Sequence, residues 1–203
     1  MTKKQNSKTS FNVQNSNSSP ALPTKADKAR VREANLDLNT MRKVCLAGID
    51  DFDPCGQRTD TKDGSYIFID RGAKILGVAH RDSVAKPTHF NYDPKCERVY
   101  TPTLDDRLGC FIIMDVLAKL LPNNAFDILL TEGEEQGRST AKHFQLPPDK
   151  EYNWMFQFDR GGCDVVHYQY TDPDWMTALE DFGVDIEAGA FSDICYLEHL
   201  AIC

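Results

Sequence analysis

Apolar positions recur at two spacings along the chain. From Lys28 to Ala47 they fall three and four residues apart, at Val31, Ala34, Leu38, Met41 and Val44 or Cys45, which predicts an amphipathic helix. Asp50 to Gly56 reads as a polar turn marked by Pro54 and Gly56. Short apolar runs then predict strands at Tyr66–Asp70 and Lys74–Ala79. Between Arg107 and Leu121, Leu108, Phe111, Ile112 and Leu120 repeat on one face of a helix that Pro122 ends. Further runs predict strands at Ala125–Leu130 and Trp154–Phe158 and helices at Ser139–Phe144 and Asp174–Phe182, while Ile194–Leu200 fits either type. Strands separated by helices predict an α/β fold: a mostly parallel or mixed central sheet with helices on both faces.

Composition narrows the picture. Residues 1–30 are rich in Ser, Asn, Lys and Thr, with Phe11 the only aromatic residue and Asp27 the only acid. Such a segment buries too little apolar surface to offset its ordering entropy, so it is expected to be a disordered tail before a single domain over 31–203. The net charge of -8 over 203 residues argues against a nucleic-acid partner, which calls for clustered Lys and Arg. No apolar run approaches a membrane span or a signal-peptide core, so the expectation is a cytoplasmic protein without membrane contact. The 7 cysteines are odd in number and form no CxxC pair, which predicts reduced thiols and neither a disulfide framework nor a thiolate zinc site.

The chemistry gathers where apolar strands stop. "ILGVAH" runs on to Asp82, "FDILLTEGEE" reaches Glu134 and Glu135, and "WMFQFD" ends on Asp159. In open α/β sheets the carboxyl ends of strands are where ligands bind, so these side chains are expected to meet at one edge. Asp105 and Asp106, just before the Arg107 helix, either cap its first amides or join that group. His80, Asp105, Glu135 and Asp159 together offer one nitrogen and several hard oxygens, suited to zinc or another divalent first-row ion. Massed carboxylates repel one another, and a cation removes that cost. Asp82 is placed to orient the His80 ring, and of the Glu134–Glu135 pair one carboxylate can bind metal while the other takes a proton from water.

His80-x-Asp82, Leu104-Asp105-Asp106-Arg107, Glu134-Glu135-x-Gly137 and Asp159, in that order, resemble the co-catalytic dinuclear zinc exopeptidases, the superfamily of zinc aminopeptidases, glutamyl aminopeptidases and related deacylases. The resemblance covers roughly Asp70 to the end. It implies a phosphorylase/hydrolase-like sandwich with two zinc ions at the sheet edge and a peptide or acyl-amino-acid substrate. Asp105 would be the bridging carboxylate, joined to Asp106 by a cis peptide bond, with His80 and Asp159 on one ion, Glu135 on the other and Glu134 as general base. Gly189–Asp193 resembles the later Ser-Asp segment of that family, with Asp193 supporting the site.

The family closes its second metal site with a histidine beyond that segment. Here the only downstream histidine, His199, lies in "CYLEHLAIC", which reads as a strand, so its main expectation is a structural role. The His80, Asp105 and Asp159 set is thus complete, and the Asp105–Glu135 set lacks a ligand. Two explanations stay open, a shortened copy of a longer protein or a member with an impaired second site. The leading expectation is a metallo-aminopeptidase-type hydrolase, able to form homo-oligomers. Its rivals are a deacylase of the same superfamily, a metal-binding protein without turnover, and a Mg-dependent nuclease, which lacks a basic nucleic-acid path. "HRD" at 80–82 also matches a kinase loop, but Pro87 stands where that motif needs asparagine. His89, His143 and His167 are expected to be solvated or to bond locally, Trp154, Phe156 and Phe158 to form a core strand, and Cys163 to lack the histidine a nucleophile needs.

Overall fold

The computed structural model describes residues 36–162, 164–168, 173–181, 183–189 and 191–200. The polar tail, the first part of the Lys28–Ala47 helix, Cys163 and residues 201–203 lie outside them. Helix α1 spans Leu38–Leu46; the Asp37 carboxylate caps it by accepting the amides of Asn39 and Thr40 at 3.0 and 3.1 Å, and Met41 and Cys45 are its buried residues. The Asp50–Cys55 segment is a 3-10 turn that buries Phe52.

Five strands form the central sheet: β1 (Gln57–Thr61), β2 (Gly64–Ile69), β3 (Ile75–His80), β6 (Asp127–Thr131) and β7 (Trp154–Gln157), in the order β1-β2-β6-β3-β7. It is a mixed sheet: β1, β2 and β6 pair antiparallel, whereas β6, β3 and β7 run parallel. Two short pairs lie outside it, the β4 (Asn91–Asp93) and β5 (Arg98–Tyr100) hairpin and β8 (Val165–His167) with β9 (Ile186–Ala188).

The parallel strands read as nearly unbroken apolar runs because both of their faces are covered. On one face Phe52, Ile67, Ala79, Ile128 and Leu130 pack with Cys110 and Ile113 of the long helical segment. That segment comprises α2 (Leu104–Phe111), a π-type turn (Ile112–Val116) and α3 (Leu117–Leu120), and ends just before Pro122. On the other face Tyr66, Phe68, Val78 and Leu129 pack against Ala141, Phe144, Ile194 and Leu197, carried by 3-10 turns at Thr140–His143 and Asp193–Leu197. Helix α4 (Pro173–Asp181) places Trp175 beside Trp154 of β7, with ring centroids 6.3 Å apart.

In place of the strand expected in "CYLEHLAIC", its described part, 195–200, is the end of a 3-10 turn followed by a further turn through His199, which is exposed. The physical reason is spacing: Ile194, Leu197 and Leu200 recur every third residue and meet the sheet together, whereas alternation would have turned every other one to solvent. No helix among the described residues is long and apolar enough to cross a membrane.

Candidate metal centre

Because β3 runs parallel to both β6 and β7, with His80 opposite Thr131 and Val78 opposite Gln157, the segments that follow all three strands leave at one edge. His80 closes β3 and is 1% exposed. Its Nδ1 lies 3.1 Å from the carbonyl oxygen of Asp82 and 3.5 Å from that residue's Oδ1. Its Nε2 faces Asp105 Oδ1 at 3.4 Å, Asp159 Oδ1 at 3.6 Å and Glu134 Oε2 at 3.8 Å. The buried Asp82 carboxylate also accepts the Glu135 amide through Oδ2 at 3.3 Å, tying the β3 and β6 loops together, while its Oδ1 has no hydrogen-bond partner.

The two aspartates before α2 divide the roles that either could have taken. The peptide bond between them is cis, and neither has helical backbone angles, so regular helix begins at Arg107. Asp106 turns inward and is 2% exposed; its Oδ1 accepts the Gly109 amide at 2.9 Å as a helix cap, and its Oδ2 lies 3.3 Å from the His80 amide it accepts. Gly109 is required by this approach, since a Cβ there would collide with the Asp106 carboxylate. Asp105 turns the other way, toward a cleft lined by Leu104, Leu108, Phe158, Asp159 and Gly161.

Glu134 and Glu135 lie on a 3-10 turn bounded by Gly133 and Gly137, both at left-handed angles (φ 81° and 64°) that glycine adopts without cost. The Glu135 carboxylate accepts the Val84 amide at 3.3 Å. Beneath this turn Asp193, fully buried, accepts the hydroxyls of Thr131, at 2.6 Å, and Ser139, so it joins the end of β6 to the far side of the Glu134 loop. Asp159 is steadied by the Gln157 side-chain amide at 3.1 Å, with Ser192 Oγ 3.2 Å away.

The charges confirm how crowded this edge is. Burial, then the neighbouring Asp159 and Glu135, push the Asp105 carboxyl up to about 6. Burial, then Asp159, Asp193 and Glu135, push Glu134 up to about 7, and burial holds Asp106 well above the usual carboxylate range. Burial opposes a charge on His80, yet Asp159, Asp82 and Asp106 outweigh it and raise the imidazole to about 12. One imidazole is thus the nearby positive partner of many acids.

Among the described residues, two groups of three have ligand atoms within 4.8 Å of one another: His80 with Asp105 and Glu135, and His80 with Asp106 and Asp159. These groups, in which His80 and Asp106 are buried, Glu135 and Asp159 half-buried and Asp105 exposed, could hold a metal ion. The donor set fits one, with a single nitrogen, hard oxygens and excess negative charge. All four sequence-derived ligands are therefore brought together, and Asp82, Glu134 and Asp193 stand around them. Sequence reasoning missed Asp106 as a member of the second group; the readable signal was an acid two residues ahead of the helix's apolar face, shared equally with Asp105. His199 is exposed on the turn that follows Leu197. His143 pairs with Asp63 at 2.6 Å, His89 with Thr88 at 3.1 Å and His167 with the Tyr168 carbonyl at 2.8 Å. No protein-family model, curated protein or solved structure matches the chain.

Proposed function

We propose that the protein is a zinc-dependent amide hydrolase of the exopeptidase type, acting on a peptide or an acylated amino acid. The observation that carries this is the meeting of His80, Asp105, Asp106, Glu134, Glu135 and Asp159 at the carboxyl edge of three parallel strands, with atoms near enough to share cations. His80, Asp105, Glu135 and Asp159 would hold the ions, with Asp106 next to them. When bound, such ions polarise an amide carbonyl and lower the pKa of water.

The chain's own groups do the rest. Asp82 holds the Nδ1 side of the His80 ring through its carbonyl, with its carboxylate 3.5 Å from the same nitrogen, leaving Nε2 to face the cleft. Glu134 extends from a turn fixed by two glycines to within 3.8 Å of that nitrogen, where it takes a proton from water and returns it to the leaving amine. Thr131, Ser139 and Asp193 fix the base of its loop. The test is metal content and amide hydrolysis measured together on the zinc-loaded chain and on Glu134→Gln, with hydrolysis lost and metal kept as the expected outcome.

One observation favours a second reading. Both candidate ligand groups depend on the same imidazole, and a single Nε2 serves one ion. One tightly held ion per chain, with no hydrolysis of any amide, would make this a metal-binding protein without turnover.

A further inference from the structure

A cavity of about 700 Å³ runs beside β7, walled by Leu117, Phe126, Trp154, Phe156, Phe158 and Val166 among others. Trp154 and Phe156 alternate along β7 and so share one face, and Phe158, just past its end, continues the series; the rings meet tilted and then edge to face, with centroids 5.4 and 5.5 Å apart. The sequence assigns this trio to the core, but only part of it is covered: Phe158 is 43% exposed. The cavity does not end in bulk protein. Phe158, Asp159 and Arg160 line both it and the smaller cleft, of about 220 Å³, that holds Asp105 and Asp106. An apolar trough therefore opens directly onto the candidate metal centre.

We propose that this trough binds a large apolar group next to the scissile amide of the substrate, aromatic or long-chain aliphatic; the inference rests on the hydrolase reading above. Size and lining both point that way. The volume lies within the range of small-ligand sites and exceeds what one methyl or ethyl side chain fills. An acidic side chain is disfavoured, because Arg160, the cation among the described lining residues, is engaged by Asp164 at 2.7 Å and Glu187 at 2.8 Å. A carboxylate entering the trough would lose water without gaining a free partner.

The experiment has two arms. In the first, the zinc-loaded full chain is offered phenylalanyl, leucyl, alanyl and glutamyl p-nitroanilides, and in parallel N-octanoyl- and N-acetylglycine, which separates a peptide source of the apolar group from an acyl source. The larger apolar member of one series is expected to exceed its small counterpart in kcat/KM by roughly 10- to 200-fold. Phe158→Ala is expected to lower the ratio of kcat/KM for the larger substrate to that for its small counterpart about tenfold. Val166→Asp, at another lining position, is expected to act in the same direction. In the second arm, Trp fluorescence of the metal-stripped chain is titrated with N-acetylphenylalaninamide and N-acetylalaninamide, and only the former is expected to perturb Trp154. No response to the aromatic probe, equal kcat/KM across both series, or a Phe158→Ala loss shared by every substrate would overturn the inference. So would a Phe158→Ala change in sedimentation without a change in specificity, since the trough would then be a contact between copies. Probe binding with no hydrolysis of any amide supports the trough as an apolar-ligand site and sinks the hydrolase reading alone.

Discussion

Strand β6 begins on one buried carboxylate and leads, at its other end, to several more. At the start, Asp127 is fully buried and saturated: Oδ1 accepts the amides of Arg71 at 2.7 Å and Ala73 at 3.1 Å, and Oδ2 meets the Tyr152 hydroxyl at 2.7 Å and Lys150 Nζ at 2.5 Å. At the finish, Glu134 and its neighbours Asp105, Asp106 and Asp159 crowd a single imidazole, and the Asp82 oxygen beside that ring has no donor. A buried acid whose lone pairs are all met by protein donors holds the fold together. A group of acids left short of donors is a binding site for something positive. Burial alone would not separate the two ends; the count of donors does.

Four measurements can break this contrast or sharpen it. The largest effect is expected for Glu134→Gln, which should reduce amide turnover by about 10²- to 10⁴-fold with metal content unchanged, read by steady-state rates and elemental analysis. Full turnover in that variant would remove the site end from catalysis. Next, Asp127→Ala should cost on the order of 3 kcal/mol in urea unfolding, because it strands Lys150 and two amides away from their acceptor. A cost near zero would erase the distinction at its structural end.

The third test compares signs. Folded Glu134 holds its proton more tightly than in the unfolded chain, with a pKa of about 7 against the usual 4.5, so in chelator-treated protein it lowers stability progressively as pH rises from about 4.5 to 7. Glu134→Gln should remove that slope and stabilise the stripped protein at pH 8 by roughly 1 kcal/mol, opposite in sign to Asp127→Ala. The smallest signal is a proton count. His80 is raised to about 12 by its carboxylate neighbours, so at pH 7 it carries a proton that an incoming cation must displace. Calorimetry of zinc uptake in buffers of different ionisation enthalpy should report about one proton or more released; none would mean that the imidazole is not a ligand.

The unequal legibility of the fold follows from the same physics. Strands β3, β6 and β7 are visible in sequence because covering both faces demands unbroken apolar runs, and ionisable residues stand at or just past their ends: His80 closes β3, Glu132 follows β6 and Asp159 lies two residues beyond β7. Strand β1 (QRTDT) gives no such sign: it is an edge strand whose side chains are mostly polar and exposed or half-buried. The β4 and β5 hairpin is three residues a side, too short for a pattern. In the site, His80, Asp105, Glu135 and Asp159 were readable as strand or helix ends, but which of Asp105 and Asp106 turns inward is decided by the Gly109 and His80 amides, which sequence spacing does not locate. The Asp127 network was invisible for a similar reason, its donors coming from Arg71, Ala73, Lys150 and Tyr152 on distant segments. Aromatic alternation at 154, 156 and 158 revealed a shared face and could not reveal how little of it is covered.

Asp106 works as a strut between two elements. One oxygen takes an amide from the last residue of β3 and the other takes one from the first turn of α2, so the positions of His80 and Asp105 are set by main chain rather than by swinging side chains. A frame braced in this way has little room to swell. Small ions that accept few ligands should enter it readily, and calcium, which gathers six to eight oxygens at longer range, should be turned away.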